Sequence, residues 1–162
     1  MASMTPPEDV LFDLLHLELV TSLLNQNNNK DKDAALSDVE LIGFNAGFRL
    51  IEKLTKEYPK FKDELDLMKF VCKDFWTGVF RKQIDNLRTN HQGVYVLQDN
   101  NFKFLSKVSH GRQYLEASPK FVVFTCGLLR GSLANLGVNS VVTAEVVNMP
   151  AVKFQVQVQR TN

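Results

Sequence analysis

The sequence predicts an α+β fold, with helices packed on one face of a four-stranded antiparallel sheet in the order αααββαββ. Three observations carry this. The first half shows apolar residues at three- and four-residue steps, the mark of amphipathic helices. The second half holds two hairpin signals separated by one more helix. The last strand alternates without a break, with Val152, Phe154, Val156 and Val158 on one face and Lys153, Gln155, Gln157 and Gln159 on the other. That pattern suits a sheet with one wet face.

Taken in order, Thr5-Pro6-Pro7-Glu8 has the capping box and early proline of a helix start, and this first helix should run to about Leu24. The polar tract Asn25 to Asp33 reads as a flexible surface loop. Ser37-Asp38-Val39-Glu40 is a second capping box, opening a helix to about Glu57, with Pro59 marking the break. In the third helix Phe61, Leu65, Met68, Cys72, Phe75, Trp76 and Val79 share a face, and it is expected to continue irregularly from Arg81 to Arg88. Val94–Leu97 and Phe102–Leu105 flank Gln98-Asp99-Asn100-Asn101 as the first hairpin. Ser118 caps, Pro119 starts and Gly137 stops a fourth helix. Val138–Val147 and Ala151–Gln159 form the second hairpin around Asn148-Met149-Pro150. The expected organisation is a flexible tip over 1–9 and a single domain over 10–162.

Composition narrows the function. The chain has 162 residues, 44 % apolar and 23 % charged, the balance of a globular protein rather than a disordered one. Nineteen basic against eighteen acidic residues leave a net charge of +1, without the basic excess of a nucleic-acid binder. The N-terminus carries Glu8 and Asp9 where a secretory signal needs basic residues. The longest apolar run, Phe121 to Leu129, is far short of the roughly 20 residues that span a bilayer. Two lone cysteines are no disulfide framework. The expectation is a soluble protein of a reducing compartment.

No residue set nominates catalysis. Cys72 and Cys126 sit in apolar helical stretches, where a thiol is inert packing. His91, in Asn90-His91-Gln92-Gly93, has no group beside it to orient an imidazole for work on a cysteine. The three histidines and two cysteines are scattered, so no metal-ligand spacing arises, and no phosphate-cradling glycine loop is present. No catalytic, cofactor-binding or metal-ligating residue is expected. Arg81, Lys82 and Arg88 cluster, but Asp74 and Asp85 interleave with them, which reads as a solvated face and allows at most peripheral contact with a membrane surface. Gly43 and Gly47, and again Gly127 and Gly131, lie four apart on helices. They imply close backbone approach or a groove for a ligand chain, and the sequence leaves both open.

The first helix is the most telling feature. Leu11, Phe12, Leu15, Leu19 and Leu23 cover one side, assigned to the domain's own core, while Val10, Leu14, Leu17, Val20 and Leu24 cover much of the other. On the second helix Val39, Gly43, Leu50 and Leu54 are joined by Phe44, Phe48 and Ile51. A helix apolar nearly all round must be buried nearly all round. With a single helical layer, the second face needs a partner. Leu14, Leu17, Val20, Leu24, Phe44 and Phe48 are therefore the expected partner interface.

The same segments resemble a family. Gly43-Phe44-Asn45-Ala46-Gly47-Phe48-Arg49-Leu50-Ile51-Glu52 and Cys126-Gly127-Leu128-Leu129-Arg130-Gly131 resemble two signatures of the small subunits of the TRAPP vesicle-tethering complex. Lys73-Asp74-Phe75-Trp76, the run Lys82 to Gly93, Val96 to Asn100 and Val142-Thr143-Ala144-Glu145 are similar to the subunit six type, a paralogue of the subunit three type. The resemblance implies a non-catalytic scaffold that pairs with a subunit three type protein through the first helices and joins other TRAPP subunits. It implies action in ER-to-Golgi transport, with a Rab1-type GTPase reached only through the whole complex. The implied location is cytoplasmic and peripheral, at the cis-Golgi and endoplasmic reticulum. Expressed alone, the chain is expected to form a homodimer or be unstable. The subunit three type carries an acylated cysteine just before its third helix. The matching stretch here, Lys56 to Asp63, has none, so no lipid site follows. An acyl-chain or small-molecule binding domain of the same fold is the alternative reading.

Overall fold

The computed structural model describes residue 12, residues 15–20, residue 22, residues 32–106 and residues 113–161. The expected tip over 1–9, the cap at Thr5, the apolar residues Leu11, Leu14, Leu23 and Leu24, and most of the Asn25–Asp33 tract lie outside the described residues. Residues 15–20 are helical and are called α1. There follow α2 (Lys32–Thr55), then α3 (Glu64–Phe70), a π-turn (Val71–Phe75) and α4 (Trp76–Phe80) as one unbroken helical rod. Strands β1 (Asn86–Thr89) and β2 (Val94–Asp99), a single turn α5 (Lys103–Ser106), the long α6 (Gln113–Asn135), β3 (Ser140–Asn148) and β4 (Ala151–Val158) complete the chain.

The sheet is antiparallel, in the order β1-β2-β4-β3. Its register sets Leu87, Leu97, Phe154 and Ala144 in one row across the strands, and Thr89, Tyr95, Val156 and Val142 in the next. These rows face the helices, and Leu97, Phe154 and Val156 are completely buried. The opposite rows, Asn86-Gln98-Lys153-Glu145 and Arg88-Val96-Gln155-Thr143, line an open groove of about 320 Å³ on the outer face. The alternation seen in β4 thus sorts the whole sheet into a core face and a wet face.

The core is aromatic. Trp76, Phe80, Phe102, Phe104 and Phe154 form a chain of rings with centroids 4.5 to 6.3 Å apart. Edge-on and tilted geometries prevail, as the ring quadrupole prefers.

Four elements differ from expectation. The first hairpin is β1–β2, not Val94–Leu97 with Phe102–Leu105. Its turn is Asn90-His91-Gln92-Gly93, where His91 has φ +60° and Gly93 φ +95°. The Asn90 side chain accepts hydrogen bonds from the Gln92 and Val94 amides, and Thr89 Oγ1 from the His91 amide. Asn86–Thr89 is therefore strand rather than irregular helix. Phe102–Leu105 fails as a strand because the adjacent Phe104 and Leu105 are both buried, which a two-faced strand cannot do. The segment curls into α5 instead, with the Ser106 amide donating to the Phe102 carbonyl.

The other two differences are helix starts. α2 is already helical at Lys32, the first described residue of this stretch, and the Ser37 hydroxyl bonds back to the Asp33 carbonyl inside the helix rather than capping it. α6 is already helical at Gln113, the first described residue after 106, so Ser118 and Pro119 lie inside it rather than at its start.

Candidate interaction surface

The surface is built on α2 and α6, which touch through their backbones. A Cβ placed on Gly43 or Gly47 would run into the carbonyls of Phe124 and Leu128. One on Gly127 or Gly131 would run into those of Glu40 and Phe44, with the Phe44 amide only 2.9 Å from the Gly127 position. The two pairs interlock reciprocally. Of the two readings the sequence leaves open, the structure fills this face with a helix and not a ligand chain. Ser132, fully buried, places its hydroxyl 2.8 Å from the Leu128 carbonyl and 3.1 Å from that of Gly47, tying the pair together. Asn135 Nδ2 donates to the Phe48 carbonyl at 2.7 Å near the far end.

α2 presents its glycine face to α6 and buries Val39 and Ile51, while other bulky side chains reach the surface. Leu41, Ile42 and Phe48 are 53 %, 37 % and 41 % exposed, and Phe44 is half-buried. Leu41 and Phe48 lie seven residues apart and so share one line, flanked by Phe44, whose ring stacks against Phe48 at 6.2 Å. Arg130 borders this ridge. Its guanidinium lies 4.4 Å over the Phe44 ring and its Nε donates to Glu40 Oε1 at 2.7 Å. The result is an apolar ridge bordered by an anchored charged pair.

α1 corrects the expectation. Val20 is 1 % exposed and belongs to the core, so it is no interface residue, while Leu15, assigned to the core, is 59 % exposed. The buried stripe is Phe12, His16, Leu19 and Val20. His16 stacks flat on Phe104 at 3.6 Å and meets the Phe124 ring edge-on at 5.0 Å. At about 100° per residue these four positions share one side. Counting leucines and passing over His16 rotated the expected face. The spacing of Phe12, His16 and Val20 was the available signal. Leu15 and Leu17 (41 % exposed) form the two shoulders of this stripe. Of the six expected interface residues, Leu17 and Phe48 are exposed, Phe44 is half-buried, Val20 is in the core, and Leu14 and Leu24 are outside the described residues.

The other candidates are structural. Cys72 and Cys126 are buried, and burial pushes both thiols up to about 12, far from a reactive thiolate. His91 occupies the β1–β2 turn. Lys82, from the basic cluster, reaches Asp99 at 2.6 Å and Asp85 at 3.0 Å. Burial pulls its ammonium down, but bonding to these two carboxylates outweighs that and holds it above the usual lysine value. Asp99 is fully buried and also accepts from Trp76 Nε1 at 2.9 Å. No sequence signal marked Asp99 as its centre, which lies 17 residues from Lys82 and 23 from Trp76. Among the described residues no group of His, Cys, Asp and Glu is placed to hold a metal, and no helix is long and apolar enough to cross a membrane.

Comparison with known proteins agrees with this picture. The family model "Transport protein particle (TRAPP) component" matches residues 12–159. Trafficking protein particle complex subunit 6b of Danio rerio is 56 % identical over 154 residues, covering 94 % of this chain and 98 % of the relative. Subunit 6A of Homo sapiens is 50 % identical over 157 residues, covering 95 % and 99 %. Among solved structures, subunit 3 from Naegleria fowleri, covalently bound to palmitic acid, shares the fold with a TM-score of 0.77 at 18 % identity, covering 94 % of this chain and 96 % of that one. With the paired glycine signatures interlocked and subunit six relatives matched almost end to end, the chain belongs to the TRAPP component family, in its subunit six branch.

Proposed function

We propose that the chain is a non-catalytic scaffold of the TRAPP complex in ER-to-Golgi vesicle transport, and that it pairs with a subunit three type protein through α1 and the outer line of α2. The observation that carries the reading is the ridge of Leu41, Phe44 and Phe48 on the outer line of α2, which α6 backs through the glycine contact; Leu15 and Leu17 are exposed on α1. Exposed apolar residues grouped in this way mark a docking surface. Through that pairing the chain joins the other TRAPP subunits, and a Rab1-type GTPase meets it only in the assembled complex. Its place is then cytoplasmic and peripheral, at the cis-Golgi and endoplasmic reticulum. In isolation the chain either pairs with its own copy through this ridge or is unstable.

The experiment is recovery of the tagged full chain from cells, with mass spectrometry of what accompanies it, for wild type and Phe48→Asp. TRAPP subunits in stoichiometric amount with wild type, and their loss with Phe48→Asp, are expected. Recovery without any TRAPP subunit overturns the reading. The acyl-chain alternative draws no support from a core centre occupied by Trp76, Phe80, Phe102 and Phe154.

A further inference from the structure

β3 stands at one edge of the sheet among the described residues, and with nine residues it is the longest strand. The other edge, β1, is blunted in the usual way, being four residues long with Asn86 and Arg88 exposed. β3 lacks that protection. Its charge is confined to Glu145, and it exposes Val141 (49 %) and Val147 (53 %).

The strand also reads nearly the same in both directions: Ser140-Val141-Val142-Thr143-Ala144-Glu145-Val146-Val147-Asn148. Placed antiparallel against its own copy about Ala144, it sets Val142 opposite Val146 on the helix side. On the wet side it sets Val141 opposite Val147, and Thr143 opposite Glu145. Each exposed valine then meets a valine, and each carboxylate meets a hydroxyl that can donate to it. Slipping the register by one residue at the centre brings the two Glu145 carboxylates face to face, or sets Val141 against Glu145. Pairings between residues on opposite faces are forbidden by the pleat. The register irregularity sits at Val147, which is skipped in the pairing with β4, so the regular stretch is Val142–Val146 and the Val141–Val147 contact lies at its margin.

We propose that β3 is a self-recognition edge. Two copies of the chain join here antiparallel, about a two-fold axis at Ala144, into one continuous sheet of twice the width. The contact is isologous and closes on itself. It lies on the sheet and not on the α1–α2 ridge, so it does not rest on the function proposed above, and both contacts can be occupied together.

The test uses the full chain. Thr143→Cys and Glu145→Cys variants, carrying different tags, are mixed under mild oxidation. A disulfide-linked species is expected in the mixture and not in either variant alone, because residue 143 faces residue 145 of the other copy. Adding Val141→Lys with Val147→Lys should abolish the crosslink while leaving thermal melting unchanged, since both valines are exposed. In a Phe48→Asp background, light scattering should give the mass of two copies, falling to one with the lysine pair. A mixture that crosslinks no better than the single variants, or a crosslink indifferent to the lysines, overturns the proposal. So does a Phe48→Asp chain that is monomeric at the concentration of the crosslinking experiment.

Discussion

At the scale of single residues, glycine identity matters most where main chain meets main chain. Gly127→Ala would push a methyl into the Glu40 carbonyl and the Phe44 amide, neither of which can rotate away. We expect a loss of about 3 kcal/mol, at the upper end of overpacking costs. Gly137→Ala is the contrast, because nothing lies within 4 Å of that position and only its φ of +85° opposes a side chain. It should lose about 1 kcal/mol. Urea unfolding of the two variants checks the order, and equal midpoints would mean that the helices can slide apart. The thiols give a second expectation at this scale. With Cys72 and Cys126 buried and pushed up to about 12, reagent should label them only as fast as the fold opens. Labelling at the rate of an exposed cysteine would contradict their placement.

At the scale of elements, the rod of α3, π-turn and α4 explains how the irregular stretch 81–85 is held. In the π-turn the Trp76 amide donates to the Val71 carbonyl, which releases the carbonyl of Cys72, and the Ile84 amide takes it at 2.9 Å. The Lys82–Asp99–Trp76 clamp secures the same segment from the other side. Asp99→Ala would leave the indole N–H and the ammonium without their buried acceptor and should lose about 3 kcal/mol. The pH dependence follows from two shifts. The Asn100 amide, opposed by burial and aided by Lys82, lowers the Asp85 carboxyl, so its contribution is complete above the ordinary carboxylate value and drains away as pH falls through the lower folded one. Lys82 is raised, so its contribution is complete below the ordinary lysine value and drains away as pH rises through the higher folded one. In Lys82→Met, stability measured against pH should lose the alkaline fall and keep most of the acid one, because the Asn100 amide still holds the Asp85 carboxyl down; an unchanged alkaline limb would discount the clamp. Much of this scale was legible in the sequence, since caps and breakers marked α2 and α6 and periodicity marked the rod and the last strand. The first hairpin was misplaced because Asn90-His91-Gln92-Gly93 makes its turn with side-chain bonds and positive φ, which hydrophobic pattern does not register. The Lys82–Asp99 pair was invisible for the same reason, its partners being joined by folding and not by spacing.

At the scale of the molecule, the exposed apolar surface was half legible in the sequence. Phe44 and Phe48 were marked by excess apolar arc on α2, whereas on α1 the buried His16 shifted the stripe and exchanged the roles of Leu15 and Val20. Leu17→Asp should therefore melt near wild type and fail to capture a subunit three type protein, because its carboxylate faces water in the free chain and is desolvated in the pair. Val20→Asp, buried at 1 % exposure, should lose about 3 kcal/mol or more in either state. Thermal melting and pull-down of the two variants decide it, and a Leu17→Asp chain that melts like Val20→Asp would place α1 the wrong way round. The plate beneath that face has a consequence for how the protein can change. In ordinary packing, a residue that grows on one helix can be suppressed by one that shrinks across from it. Here the group opposite each of the four interlocked glycines is a carbonyl, which every amino acid carries, so no second-site substitution makes room. A library randomised at Gly43, Gly47, Gly127 and Gly131 and selected for folding would return glycine at each site independently, with no compensating pairs.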